Sequence, residues 1–221
     1  MTRFSTTNEQ RQEFVNNIMA TYNRATTEEK VAGAGWYKEA WSACSDMSKR
    51  FDVPLAVITG VVAALSPNNR WERNLGDAER LIAAYLNGDD VLSVSVSTYN
   101  AMRAKGWKIC AIASEQHQHA TADQLNEAIL EELRGQKIKS FYSNIMGLPG
   151  CTIDGHARNI AYNERLALTG GKFTLGKVEY VVLQEMYQEA AAIVSADLGV
   201  ELQASVMQAI TWVTWRRIHK I

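Results

Sequence analysis

The sequence predicts an all-α protein, and three observations lead to this prediction. Only 3 prolines and 14 glycines occur among 221 residues, which leaves little material for a turn-rich β-sandwich. Apolar residues recur at helical spacing along most of the chain. The stretch Val91–Val96 alternates apolar residues with serine, but one short strand without a partner cannot form a sheet. We therefore expect roughly ten helices.

Caps and breakers indicate where these helices begin and end. Asp52-Val53-Pro54 is a start signal because proline fits the first helical turn. The almost wholly apolar run that follows predicts a helix buried on all sides. The expected helices, in chain order, are Glu9–Asn23, Thr27–Phe51, Leu55–Leu65, Trp71–Leu86, Ser97–Ser114, a helix capped by Thr121 and reaching Leu133, Lys137–Met146, a helix capped by Asp154, Leu175–Leu198 and Glu201–Ile218.

Composition limits the class of protein. Hydrophobic residues make up 47% of the chain and charged residues 21%, which is typical of a folded protein rather than a disordered tail. No stretch approaches the roughly 20 apolar residues that a membrane helix needs. The N-terminus lacks the apolar core of a secretory signal. We therefore expect no membrane partner and a cytoplasmic location, which is the host cytoplasm if the source is a phage.

Cysteine and histidine usage predicts no metal or cofactor. Cys44, Cys110 and Cys151 are far apart, odd in number and form no CxxC pair. This pattern argues against a disulfide framework and against a cysteine-ligated zinc or iron–sulfur site. His117 and His119 lie in a polar stretch without supporting carboxylates or cysteines, so a metal site is not expected there.

Charge and length leave two questions open. Lys and Arg number 23 against 24 Asp and Glu, for a net charge of −1. A nucleic-acid coat protein would be more basic, although a DNA-acting enzyme can keep a local basic face on a neutral body. The length fits one large domain or two small interlocked lobes. The polar stretch at residues 115–120 is the only candidate for a junction between lobes.

Three segments carry the residues best suited to chemistry. Leu65-Ser66-Pro67-Asn68 breaks a buried helix, Gly135-Gln136-Lys137 joins two helices, and Ile153-Asp154-Gly155-His156 starts another helix. A lysine and an aspartate at neighbouring helix N-termini can face one cleft. That pairing supplies a nucleophilic amine and an acid/base carboxylate.

In this order and at this approximate spacing, the three segments resemble the helix–hairpin–helix DNA glycosylase superfamily. Its members carry an LS-x-Q turn after a buried helix, a hairpin of LPGxGxK type and, one helix later, a VDTH segment with the catalytic Asp. The resemblance runs from about Val53 to Leu166 and is to a divergent, phage-type branch. The chain has Glu131-Glu132-Leu133 in place of LPG and lacks the four-cysteine iron–sulfur loop of some members.

The resemblance implies an all-α fold of two helical lobes and an enzyme that flips a nucleotide out of double-stranded DNA. Asp154 would stabilise the positive charge that develops on the sugar, and a helix N-terminus stabilises its own negative charge. Lys137 would attack the sugar C1′ and form a Schiff base, which adds lyase activity. Lys139 is the alternative under a two-residue shift of the alignment. Asn68 would fill the gap in the base stack.

The remaining candidates for substrate or DNA binding are Asn69, Trp71, Gly135, His156 and Gln208. Trp71 would stack on the flipped base or pack against the protein, and Gly135 would let backbone amides approach a phosphate. Gln208 would read a base edge or bridge two helices. Structural roles also fit the pattern, because Asp154 is a favoured helix cap and Lys137 an ordinary first-turn lysine.

Three functions follow from these residues. The first is a DNA glycosylase-like enzyme that cleaves the N-glycosidic bond of a flipped, modified base, with or without lyase activity. The second keeps the fold but modifies 5-hydroxymethylpyrimidines in phage DNA, by amine or amino-acid transfer without base release, and the altered hairpin fits it equally well. The third is a catalytically silent helical domain that binds DNA or protein.

Overall fold

The computed structural model describes residues 4–115, 121–167 and 175–221, and these ranges are helical and contain no strand. The helices of the described residues are α1 Asn8–Asn23, α2 Thr27–Phe51, α3 Leu55–Leu65, α4 Trp71–Asn87, α5 Asn100–Glu115, α6 Ala122–Leu133, α7 Gln136–Ile145, α8 Gly155–Tyr162, α9 Lys177–Leu198 and α10 Ala204–His219. A 3₁₀ turn occupies Val91–Ser93. The all-α prediction is confirmed.

Five helix starts differ from the predicted ones: α5 and α10 begin three residues later, α9 begins two residues later, and α1 and α7 begin one residue earlier. Helix α2 begins at Thr27, as predicted. Helix α2 is capped by Thr26, whose hydroxyl accepts from the Glu29 amide at 3.2 Å while the Glu29 carboxylate accepts from the Thr26 amide at 2.9 Å. Helix α5 begins at Asn100 rather than Ser97 because the Ser97 amide donates to the Asp77 carboxylate at 2.7 Å. A tertiary hydrogen bond thus replaces the first helical turn.

The chain divides into two compact units. The first contains Met1–Tyr37 and Pro149–Ile221, and the second contains Lys38–Leu148. The division falls inside α2, where no change of composition marks it, and not at the candidate junction at residues 115–120. That stretch lies within the range of the second unit, and its residues 116–120, with His117 and His119, lie outside the described residues.

The first unit has a core formed by α1, α8, α9 and α10. Its members are fully or almost fully buried side chains: Phe14, Val15, Ile18, Tyr22, Ile160, Leu183, Met186, Tyr187, Met207, Ile210 and Trp215 among others. The segment Cys151–Ile153, which precedes α8, is buried in the same core. The segment before α8 is therefore fixed by its packing against the apolar core of the first unit.

The second unit is built around α3, as its apolar sequence predicts. All ten residues from Ala56 to Leu65 are buried, and α4, α5, α6 and α7 pack around this helix. A Cβ atom added at Gly60 would lie 2.7 Å from Ile129 and 3.0 Å from Ile109, so glycine permits the close approach of α5 and α6.

Two findings bear on partners and redox chemistry. Among the described residues, no helix combines the length and apolar character required to cross a membrane. Cys44, Cys110 and Cys151 are buried free thiols. Burial raises the pKa of Cys44 to about 11 and that of Cys110 to about 12, so both remain protonated and unreactive near neutral pH.

Candidate functional site

Asp154 is the N-cap of α8, as predicted. Its backbone is extended, with φ −95° and ψ −176°, and its Oδ1 accepts a hydrogen bond from the Ala157 amide at 2.8 Å. The side chain is half-buried. Because the cap uses Oδ1, the second carboxylate oxygen is left to other partners. Capping and a chemical role are therefore compatible at this residue.

Helix α9 fixes the segment that leads to Asp154. The Gln184 amide donates to the Cys151 carbonyl at 2.7 Å, and the Tyr180 hydroxyl accepts from the Ile153 amide at 3.1 Å. One turn further along α9, Tyr187 donates to the Ala157 carbonyl at 3.1 Å. These bonds satisfy buried backbone groups on both sides of Asp154 and hold its carboxylate in one position.

A second set of contacts in the first unit joins helix α10 to the part of α2 that ends at Tyr37. The Tyr37 hydroxyl donates to Gln208 Oε1 at 3.0 Å, and it shares a further hydrogen bond with the Thr152 side chain. A Cβ atom at Gly33 would lie 2.5 Å from the Ile210 Cα, so this glycine lets the two helix backbones meet. The bridge between α2 and α10 is the structural role considered for Gln208.

The groups around Asp154 stay neutral. Burial raises the pKa of Tyr37, Tyr187 and Cys151, and the nearby charge of Asp154 raises each further. Both phenols therefore remain protonated and act as hydrogen-bond donors. Asp154 is thus a half-buried carboxylate near two protonated phenols and a protonated thiol, and a carboxylate fixed in this way can stabilise a cation.

Aromatic rings lie beside this carboxylate on α8 and α10. The His156 ring centroid is 6.4 Å from that of Trp212, with the planes at 75°, and Trp36 approaches Trp212 at the same distance. His156 and Trp212 are half-buried, and the Nδ1 atom of His156 is buried. The first unit thus brings the predicted residues Asp154, His156 and Gln208 into one neighbourhood.

The break after α3 is organised by a buried acid that the sequence analysis did not single out. Asp77 has no exposed surface. Its Oδ2 accepts from the Asn69 side-chain amide at 2.9 Å and from the Ser97 backbone amide at 2.7 Å, and its Oδ1 accepts from Arg80. The Thr98 hydroxyl donates to the Pro67 carbonyl at 2.6 Å. This network fixes the shape of the whole turn.

Removal of the Asp77 carboxylate is expected to destabilise the protein. Asp77→Ala leaves the Asn69 and Ser97 donors without their acceptor, which should lower the free energy of unfolding by about 3 kcal/mol. Urea denaturation followed by circular dichroism measures this quantity. The exposed Asp89 provides the control, since Asp89→Ala should change stability by less than about 0.5 kcal/mol. Equal stabilities of the two variants would contradict the assigned role.

The turn presents its predicted residues differently. Asn68 is exposed and has φ +54°, a left-handed conformation that asparagine tolerates better than most residues. Asn69 is engaged with Asp77, and its Oδ1 accepts from the Arg70 amide at 3.0 Å. Trp71 is half-buried and its ring meets Phe141 of α7 edge-on at 6.4 Å. Of the three predicted residues Asn68, Asn69 and Trp71, Asn68 is therefore the exposed one.

Helices α6 and α7 form the predicted helix–turn–helix, but its turn is not built on glycine. Arg134 takes the left-handed conformation, with φ +54°, while Gly135 is the N-cap of α7 with φ −96°. Lys105 donates to the carbonyls of Glu132 and Leu133 at 2.8 and 3.1 Å, which caps the end of α6. The left-handed residue of this turn is thus Arg134, and Gly135 serves as the N-cap of α7.

The two candidate lysines lie in the first turns of α7. Lys137 is exposed and Lys139 is half-buried. Lys137 is the second residue of the helix, which begins one residue earlier than predicted. Of the predicted site residues, the second unit contains Asn68, Asn69, Trp71, Gly135, Lys137 and Lys139, and the first unit contains Asp154, His156 and Gln208.

A family model described as a family of unknown function, DUF7178, matches residues 1–219. The chain belongs to this family. The match covers both compact units, so the family is defined by the two units together. A search of curated proteins and a search of solved structures each return no match.

Sequence reasoning missed the residues that position Asp154. Tyr180, Gln184 and Tyr187 recur at spacings of four and three, which places them on one face of α9. Polar side chains on the otherwise apolar face of a helix are a signal of a buried network. Tyr37 gave no such signal, because its partners Thr152 and Gln208 are more than a hundred residues away in the sequence.

Proposed function

We propose that this protein acts on a base of DNA and cleaves the N-glycosidic bond of a nucleotide flipped out of the duplex. The observation that carries the proposal is the geometry of Asp154. It is a half-buried carboxylate with one oxygen bound at a helix N-terminus, and its backbone is anchored on both sides by buried hydrogen bonds. It occupies the Asp position of the VDTH-like segment on which the family resemblance rests.

The chemistry asks for a fixed negative charge beside the sugar. As the bond from C1′ to the base breaks, the bonding electrons leave with the base, and positive charge develops on the sugar ring. Asp154 stabilises that charge because its position is set before substrate binds. A water then adds its oxygen to C1′ and gives up one proton to Asp154, while the departing base takes up a proton from solvent.

The lyase branch of the proposal uses Lys137. Its amine replaces water as the nucleophile: the bond from nitrogen to C1′ forms as the bond from C1′ to the base breaks, and the amine gives up a proton. The C1′–O4′ bond then breaks as O4′ takes up a proton, which opens the sugar ring and leaves a protonated imine between lysine and C1′. The exposed position of Lys137 leaves it free to reach a ligand. The attacking amine has to be in its neutral form.

Asn68 has the proposed role of filling the gap in the base stack. A flipped base leaves a gap in the stack, and a short polar side chain on a rigid turn can fill it. Asn68 is exposed on a turn held by Asp77 and by the bond from Thr98 to Pro67. Asn69 and Gly135 contribute through the structure of their turns, and Trp71 through its contact with Phe141.

A panel of duplexes tests the function. Separate duplexes would carry uracil, an oxidised purine and 5-hydroxymethylpyrimidines, and the products would be resolved by mass spectrometry. Abasic DNA is the expected product. A gain of mass on an intact nucleotide would show that the protein modifies the base and does not cleave it. Unaltered DNA throughout, with binding retained, would favour a silent DNA-binding domain and overturn the proposed enzyme.

A further inference from the structure

The C-terminal end of α10 forms a surface pocket in the first unit. Its volume is about 420 Å³. Its lining consists of Trp212, Val213, Arg216, Arg217, Lys220 and Ile221. Apolar and cationic side chains thus meet in one concave surface, and among the lining residues no carboxylate side chain occurs.

The cationic residues of the pocket differ in whether they are paired with a carboxylate side chain. Arg217 is paired with Glu29, with Nε to Oε1 at 2.6 Å, and also donates to the Arg24 carbonyl at 2.9 Å. Arg216 and Lys220 are exposed, and within the part of the chain that the structure describes neither forms an ion pair with an Asp or Glu side chain. Two cations of the pocket are therefore available to an external anion.

Arg216 is also held in place before any ligand binds. Its guanidinium lies 4.6 Å from the centre of the Trp212 ring, and its Nε donates to the Ile221 carbonyl at 3.0 Å. A guanidinium stacked on an indole keeps most of its N–H groups directed outward. Such a fork matches two oxygens of a phosphate group.

The wider surroundings are positive as well. Burial lowers the pKa of His219, and the neighbouring Arg165, Arg24 and His156 lower it further by repulsion. Arg24 and Arg165 are exposed on the same unit. The end of α10 therefore forms a local basic face on a chain whose net charge is only −1.

We infer that this pocket binds a phosphate group of the DNA backbone through Arg216 and Lys220. The inference rests on the proposed function for the identity of the polymer, because Trp212 connects the pocket to the site. Trp212 lines the pocket, and its ring meets His156, which lies two residues after Asp154 on α8. The pocket and Asp154 thus belong to the same unit.

The test removes the two available cations and keeps the structural one. Arg216→Gln with Lys220→Gln retains Arg217 and its pair with Glu29. The control, Lys38→Gln with Lys49→Gln, removes the same charge from exposed positions of the second unit. Thermal melting of all three proteins checks that they fold alike.

Binding to a fluorescent duplex would be measured by anisotropy between low and moderate salt. The pocket variant should bind about tenfold more weakly at low salt, and the slope of log affinity against log salt should fall by about 1 to 2. The control should keep the wild-type slope to within about 0.5. Equal affinities and slopes for the pocket variant and the control would overturn the inference, and so would a wild-type protein that binds no DNA.

Two further experiments distinguish a phosphate of the DNA backbone from a free phosphate, and failure of the phosphate site from failure of the proposed function. Inorganic phosphate and pyrophosphate, titrated against the Trp212 indole signal in NMR spectra, should perturb it only at millimolar concentration or above. Saturation at micromolar concentration would assign the pocket to a free anion instead of the backbone. If the pocket variant loses DNA affinity and the wild type releases no base, the phosphate site stands and the proposed glycosylase activity is wrong. If the wild type releases base and the pocket variant binds DNA with unchanged affinity, the activity stands and the phosphate site is wrong.

Discussion

Asp154→Asn is expected to reduce base release at least about 100-fold without unfolding the protein. Asparagine is as good an N-cap as aspartate, so α8 keeps its start and the bond from the Ala157 amide. The lost quantity is the negative charge, and removal of one electrostatic stabiliser of a transition state costs about 10² to 10³ in rate. Single-turnover assays on the substrate that the duplex panel identifies would measure this loss.

The matched control for that experiment is Asp197→Asn. Asp197 is an exposed residue of the first unit and caps no helix, so this variant removes one carboxylate and should retain full activity. Melting temperatures of both variants should stay close to that of the wild type. Full activity of Asp154→Asn would exclude the carboxylate from catalysis and leave Asp154 as a helix cap alone.

Lys137→Ala is expected to abolish trapping of the protein on DNA by borohydride. The reagent delivers a hydride to the imine between lysine and sugar and converts it into a stable amine. The alanine variant cannot form this imine, so it should give no trapped complex. Lys137 is exposed in the first turn of α7, and alanine is a good helix former, so the fold should be unaffected. A denaturing gel shows the trapped complex directly.

Lys139→Ala controls for the alignment of the hairpin. Trapping that survives in Lys139→Ala and disappears in Lys137→Ala assigns the nucleophile to Lys137. The opposite pattern would move the assignment by two residues. Absence of trapping in the wild type, together with base release, would restrict the enzyme to hydrolysis and remove the lyase branch.

Local signals made much of the fold predictable. Helix α3 could be identified because its apolar run is bounded by Pro54 and by the break at Ser66-Pro67. The starts of α6 and α8 could be identified because Thr121 and Asp154 are capping residues whose side chains bond amides three residues ahead. Each of these interactions lies within a few residues of the signal, so a single stretch of sequence contains it.

The candidate site was predictable only in part. Asp154 was identified because its segment resembles a known motif and because aspartate is a helix cap. Its supports were not, since Tyr37, Gln184 and Tyr187 reach it from other helices. Asp77 was missed for a related reason, because one of its partners, Ser97, is twenty residues away.

The sequence by itself determined the helices, their caps and the order of the three chemical segments, because periodicity and capping act over one or two turns. Only the tertiary structure decided that the chain divides within α2, that Asp77 holds the turn of Asn68, and that two buried tyrosines bind the backbone on both sides of Asp154. These features depend on side chains distant in sequence. Their energies come from burial and from matched donors and acceptors, which exist only once the helices have packed.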